Sequence, residues 1–146
     1  MNARSRAALS SLLTYEEAMA SGAIEVGIQP LVKQLNSTGC TTIASCEGHG
    51  RAASIFRRGY IEKLPFVLFH ATIERARLMD DRLGYGHGTS NQLKYYWKLQ
   101  GHFYPDDREL VWTIEMRDIR MLEEFDRSAL NRDIQALSTL VNDGEA

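Results

Sequence analysis

The sequence has few of the features that cross-link a protein, stiffen its chain or anchor it in a membrane. It has two cysteines and three prolines in 146 residues, so neither a disulfide framework nor a proline-rich segment is expected. No apolar run approaches the roughly 20 residues that cross a bilayer. The basic start runs into Thr14 and Glu16 without a signal-type apolar stretch, so we expect no membrane association and no secretory signal.

The two cysteines, Cys40 and Cys46, lie on one predicted strand. A bridge between them would require that strand to buckle, because a disulfide needs closely spaced, converging Cβ atoms. We therefore expect reduced thiols in a cytoplasmic protein.

A strong excess of charge of one sign is also absent, since the net charge is -2. This balance excludes the broad basic surface by which many proteins hold duplex DNA. The first 105 residues carry 12 basic and 8 acidic side chains, and the remainder carry 5 and 11. The basic excess is densest at Arg51, Arg57, Arg58 and Lys63, where it can attract an anionic ligand.

The whole chain, with 44% hydrophobic and 25% charged residues, has the composition of one globular domain. Helix signals dominate its first part. Thr14 and Glu17 form a capping box, and Gly22 is the expected end of that helix. A second helix, with Pro30 in its first turn, is predicted by a helically spaced apolar stripe. The stripe consists of Ile24, Ile28, Leu31 and Leu35.

Two strands and a helix are predicted next. Residues 41–46 are rich in β-branched side chains, and the apolar run 66–70 is typical of a strand covered on both faces. Between them lies a basic loop with a short strand predicted at residues 53–56. Thr72 should cap a helix that ends at Gly84; its inner stripe is Ile73, Ala76, Met79 and Leu83.

A β-hairpin and a long amphipathic helix complete the predicted fold. Alternating apolar residues on both sides of a turn at Pro105 place Trp97 and Trp112 on one face, beneath the C-terminal helix. The apolar face comprises Leu93, Tyr95, Trp97, Leu99, Phe103, Leu110, Trp112, Ile114 and Met116. The other face is polar and open to solvent or a partner. The last helix turns inward Ile119, Leu122, Phe125, Ala129, Ile134, Leu137 and Val141.

This order of elements predicts a single α+β domain over residues 1–146. We expect two layers, with a mixed four-stranded sheet, a C-terminal β-hairpin and a long C-terminal helix.

Reactive side chains are concentrated in the segment that follows the first strand. Cys46, Glu47 and His49 place a thiol, a carboxylate and an imidazole within four residues, and these three are the candidates for catalysis. A thiolate nucleophile needs a nearby base or positive charge, which His49 and Arg51 can supply. Two other interpretations stand beside it: a ligand-binding loop, and a structural turn in which Cys46 is a core residue.

The segment Ser45–Arg51 is also a candidate anion site. Gly48 and Gly50 allow backbone amides to turn toward a ligand, and His49 and Arg51 supply charged donors. Glu47 is expected to point away from the anion. The other candidate ligand-binding residues are Thr42, Ser45, His70 and His87.

Three alternative sites have weaker signals. Cys46 and His49 form the only close-spaced pair of metal ligands, so we expect no metal centre. The glycines at 84, 86 and 88 follow a helix and precede a strand, an order that favours a hinge over a phosphate loop. The alternation of lysines and aromatics at 94–98 is typical of a nucleic-acid surface, although core packing of Tyr95 and Trp97 explains most of it.

The motif also resembles two groups of proteins. Leu35-Asn36, Gly39, Thr42 and Ser45–His49 match the L-N-x-x-G-x-x-T-x-x-S-C-E-G-H core of small phage- and plasmid-type proteins of no settled activity. More distantly, Thr42, Ser45, Cys46 and Gly48 resemble the T-x-S-S-C-S-G-R motif of the wybutosine-synthesis methyltransferase family. That resemblance implies modification of a tRNA guanosine with S-adenosylmethionine. Glu47 and His49 stand where the family has serine and arginine.

These observations lead to one functional hypothesis and one alternative. The first is a protein that binds a small anionic ligand, a nucleotide or a modified nucleoside in RNA, at Ser45–Arg51, with or without catalysis. The alternative is a non-enzymatic interaction factor of a phage or mobile element. The sequence identifies no cofactor and is compatible with a homodimer.

Overall fold

The computed structural model describes residues 14–48, 64–83, 93–104, 108–117 and 126–142, in which four α-helices, one 3-10 helix and four strands occur. In chain order these elements are α1 (Tyr15–Ser21), the 3-10 helix (Val26–Ile28), α2 (Gln29–Ser37), β1 (Thr41–Cys46), β2 (Phe66–His70), α3 (Ile73–Leu83), β3 (Trp97–Phe103), β4 (Leu110–Met116) and α4 (Arg127–Asn142). The α+β fold with a C-terminal hairpin and helix is confirmed.

Local signals define the first two helices. The Thr14 hydroxyl accepts the N–H of Glu17 at 3.1 Å and caps α1. Gly22 ends the helix in the left-handed conformation, with a φ of 75°. Pro30 lies in the first turn of α2, where its missing N–H costs no helical hydrogen bond. The first predicted helix is therefore confirmed. The second begins later than predicted, at Gln29, because Ile24 precedes it and Ile28 lies in the 3-10 helix.

The sheet has the order β1-β2-β4-β3, and its three strand pairs are all antiparallel. The prediction of a mixed sheet is wrong in this respect. A parallel pair would have formed if β3 lay beside β2, which runs in the same direction. Instead β4 lies between these two strands and is antiparallel to both.

The main core lies between the helices and one face of the sheet. Its strand residues include Val67, Phe69, Trp97, Ile114 and Met116, all buried. The helices contribute Ala18, Ile28, Leu31, Val32, Leu35, Met79, Leu83, Ala129, Leu130, Ile134, Leu137 and Val141. Burial of this apolar surface is the dominant stabilising term for such a fold.

A second apolar cluster lies on the opposite face of the sheet. It consists of Ile43, Ala44, Leu68 and Val111, with Phe66 and Tyr104 packed against it. A β-bulge at Ile43 allows two consecutive residues of β1 to join this cluster. Burial of Val111 and Thr113 corrects the prediction of an open polar face on the hairpin, whereas Lys98 and His102 are exposed as expected.

The two tryptophans share one face of the hairpin, as predicted, but they pack against different elements. The Trp97 indole N–H donates to Asp133 of α4 at 2.9 Å. The half-buried Trp112 indole instead donates to the carbonyl of Ala71, just before α3. Its ring crosses Gly101, where a Cβ would approach within 2.8 Å of Trp112.

Three residues that were assigned to the apolar interior are exposed, and the start of the last helix also differs from the prediction. Phe103 is 66% exposed at the end of β3, Ile73 is 49% exposed at the start of α3, and Leu110 is 36% exposed at the start of β4. The prediction of one unbroken last helix is wrong at Asp126, which lies outside any helix. The described part of that helix begins at Arg127, because the Asp126 carboxylate caps α4 by accepting the N–H of Ala129 at 3.1 Å.

Several predictions fall on residues outside the described ranges: the short strand at 53–56, the end of a helix at Gly84, the glycine loop 84–88, and the inward positions Ile119, Leu122 and Phe125. None of the described helices is long and apolar enough to span a bilayer.

Candidate functional site

The candidate site is built around the end of β1. Cys46 pairs with Phe66 at the edge of the sheet and is only 1% exposed. Its Sγ accepts the N–H of Gly48 at 3.4 Å. Gly48 has a φ of 84°, a left-handed conformation that favours glycine. The chain therefore turns sharply directly after the buried thiol.

Glu47 is held against the N-terminal part of the fold. Its carboxylate accepts the N–H of Gly27 at 2.6 Å, and its own N–H donates to the Glu25 carboxylate at 3.2 Å. A Cβ at Gly27 would overlap the Glu47 carboxylate, so this close approach requires glycine. The two bonds fix both the backbone and the side chain of Glu47.

Arg127, the first residue of α4, holds the same segment from the other side. Its Nη1 and Nη2 donate to the Glu47 carbonyl at 2.9 and 2.7 Å, and Nη2 also donates to the Gly48 carbonyl at 3.0 Å. The planar guanidinium can bind two neighbouring acceptors in this way because its donors have a fixed fork geometry. Elements from both ends of the sequence therefore immobilise Glu47 and Gly48.

Thr42 and Ser45 lie on the helix-facing side of β1. The Thr42 hydroxyl accepts the Asn36 side-chain N–H at 2.9 Å, which links α2 to the strand. Thr42 and Ser45 also line a cavity of about 20 Å³, together with residues of α1 and α2. Such a cavity holds about one water molecule and is too small for a nucleotide.

His70 lies far from Cys46 along the sheet. It pairs with Thr41 at the start of β1, whereas Cys46 pairs with Phe66 at the other end of β2. Four residue steps of β2 separate His70 from Phe66, or about 13 Å at the usual rise of a strand. His70 Nε2 instead lies 3.5 Å from the Glu109 carboxylate, and both side chains are well exposed.

The remaining candidates, His49, Arg51 and His87, lie outside the described residues. Among the residues that the structure does describe, no group of three His, Cys, Asp or Glu side chains is arranged to hold a metal ion.

The geometry adds Glu25, Gly27 and Arg127, which the sequence analysis missed. The first two lie in a segment with no recognisable motif. Arg127 carried one usable signal, because a cation at a helix N-terminus opposes the helix dipole. That signal was hidden, since the predicted helix was expected to run through this position.

Comparisons with protein-family models, curated proteins and solved structures gave no match. The resemblances of the Ser45–His49 motif therefore stay predictions.

Proposed function

We propose that this protein binds a small anionic ligand, a nucleotide or a modified nucleoside in RNA, at the segment Ser45–Arg51. The observation that carries the proposal is the binding of the Glu47 and Gly48 carbonyl oxygens by Arg127. Carbonyl oxygens repel anions, and here two consecutive ones are neutralised by a cation within the protein.

The chemistry of the neighbouring residues supports the same ligand class. The Glu47 carboxylate is directed to the Gly27 amide, so part of its negative charge is compensated by a hydrogen bond inside the protein. Directly after Gly48 the sequence supplies His49 and Arg51. An imidazole and a guanidinium beside a glycine turn provide donors suited to a phosphate or carboxylate.

Binding, and not catalysis, is the role we assign to this segment. Glu47 is engaged with Gly27 and is therefore best suited to fix the segment, and Cys46 is buried. We also keep the cytoplasmic location in the proposal, because Cys40 and Cys46 are both reduced thiols.

A thermal-shift screen tests this proposal with inorganic phosphate, nucleoside monophosphates and triphosphates, and S-adenosylmethionine. At about 100 times its dissociation constant, a ligand stabilises the folded state by about 2.7 kcal/mol. We expect this shift for wild type and its loss in a His49→Ala, Arg51→Ala double variant. The matched control is Lys98→Ala, His102→Ala, which removes a cation and an imidazole from β3. The proposal fails if no anion shifts wild type, or if both double variants respond equally.

A second candidate is the protein-interaction function, for which the hairpin offers one observation. Phe103 and Leu110 form a cross-strand pair and are 66% and 36% exposed. Exposed apolar pairs of this kind favour a protein contact, including contact with a second copy. Light scattering of wild type and Phe103→Ser tests self-association; an equal, monomeric mass for both would count against a homodimer.

A further inference from the structure

We propose that Arg127 is a positioning residue of the anion-binding segment, acting through the peptide between Glu47 and Gly48. This inference rests on the proposed function, since the segment concerned is the proposed binding segment. Arg127 makes three hydrogen bonds of 2.7 to 3.0 Å to two consecutive carbonyl oxygens. A lysine ammonium, which is a point charge without a planar fork, cannot reproduce this geometry.

The consequence for the segment follows from the planarity of the peptide bond. In a trans peptide the carbonyl and the N–H point in opposite directions. Because the Glu47 carbonyl is turned to Arg127, the Gly48 N–H of the same peptide is turned away from it. That N–H is the donor to Cys46 Sγ. Arg127 therefore fixes the orientation of the peptide at which the chain leaves β1.

Charge adds to this geometric effect. A guanidinium on the carbonyl polarises the peptide and strengthens its N–H as a donor, as in other hydrogen-bonded chains. The helix dipole opposes a cation at the first position of α4, so Arg127 costs stability in its own helix. The bonds to Glu47 and Gly48, just after β1, offset that cost. Such a break of a local rule is typical of functional segments.

Two variants separate geometry from charge. Arg127→Lys keeps the positive charge and loses the fork, and Arg127→Gln loses both. The matched control is Arg132→Gln in the same helix, because the Arg132 side chain is exposed and bonds Ser128 of its own helix. The probe is guanosine monophosphate, titrated by calorimetry at a temperature at which circular dichroism shows every variant folded.

A second readout needs no ligand. Hydrogen exchange of the Gly48 amide reports directly whether the peptide is still held against Cys46. We expect both Arg127 variants to weaken nucleotide binding and accelerate Gly48 exchange, each at least about tenfold, the factor that corresponds to one lost charge-assisted hydrogen bond. Arg132→Gln should match wild type in both measurements.

The outcomes distinguish this inference from the proposed function. If Arg127→Lys binds the nucleotide as wild type does while Arg127→Gln does not, Arg127 acts by charge alone and the positioning role is overturned. It is also overturned if both variants bind normally, which leaves the proposed function intact. Wild-type protein that binds neither guanosine monophosphate nor any other anion of the thermal-shift screen overturns the proposed function and, with it, the ligand part of this inference. An unchanged Gly48 exchange rate in Arg127→Gln refutes the geometric part separately.

Discussion

Asp133 is a charged side chain in the middle of the core. It is 1% exposed and accepts three N–H groups: the backbone amides of Lys94 and Tyr95 at 2.8 and 2.9 Å, and the Trp97 indole at 2.9 Å. A buried carboxylate is tolerated only when its oxygens are bound in this way. Asp133 therefore connects α4 to the chain that enters β3.

Replacing Asp133 by alanine should be strongly destabilising. The substitution leaves three N–H donors without their acceptor, and each buried unsatisfied donor costs about 1 to 3 kcal/mol. We expect a loss of at least about 3 kcal/mol in the free energy of unfolding, measured by urea denaturation. Asp81→Ala on the exposed face of α3 is the control and should be neutral or slightly stabilising, because alanine has the higher helix propensity. Equal effects of the two substitutions would contradict this account of Asp133.

Single residues were the hardest features to predict. Thr14 and Glu17 form a capping box whose spacing is fixed by one helical turn, so their roles can be recognised in sequence. Asp133 and Arg127 act on partners more than 30 residues away. Nothing in their local sequence specifies those partners, because only the fold brings them together.

Among the described elements, the start of α4 carries a carboxyl group whose pKa is lowered. The N–H of Ala129 has the largest effect and lowers the pKa of the Asp126 carboxyl below its ordinary value. Desolvation opposes this, and the charges of Lys94 and Arg132 lower the pKa further. A carboxyl whose pKa is lower in the folded state stabilises the fold above its unfolded pKa. That contribution is lost as the pH falls.

The variant Asp126→Asn isolates this effect, because asparagine keeps a capping oxygen but cannot ionise. Wild type should lose melting temperature relative to the variant as the pH falls from about 5 through the ordinary aspartate pKa of about 3.9. The measurement is the difference between the melting temperatures of wild type and variant across this range. The other carboxyl groups contribute equally to both proteins, so their effects cancel in the difference. A difference that does not change with pH would show that Asp126 contributes no charge effect.

Element boundaries depend on competing local signals. Strands 41–46 and 66–70 were predicted with their observed bounds, since the first is a β-branched segment between Gly39 and Gly48 and the second is an apolar run that follows Pro65. The start of α4 was missed because the apolar spacing continues across Asp126, while the capping bond that begins the helix there leaves no periodic signal. Phe103 fits the alternation of β3 but is 66% exposed at the end of that strand. Periodicity shows which face of a strand a residue lies on, and not whether another element covers that face.

At the scale of the whole molecule, the site depends on the order of the strands. β1 is an edge strand, and the segment after it is contacted by the residues just before α2 and by the first residue of α4. The sequence patterns predicted four strands and identified the segment Ser45–Arg51 as the candidate anion site. It could not predict that β4 lies between β2 and β3, because strand order is set by packing of both sheet faces and not by local pattern.

The central claim is that the segment Ser45–Arg51 binds an anion, and an NMR titration tests it most directly. Nitrogen-15-labelled wild type is titrated with guanosine monophosphate and, separately, with inorganic phosphate, and the amide shifts are followed to saturation. We predict that the largest shifts lie at residues 45–51 and that they disappear in the His49→Ala, Arg51→Ala variant. The absence of any saturable shift, or a maximum on the hairpin at Lys98 and His102, would contradict the claim.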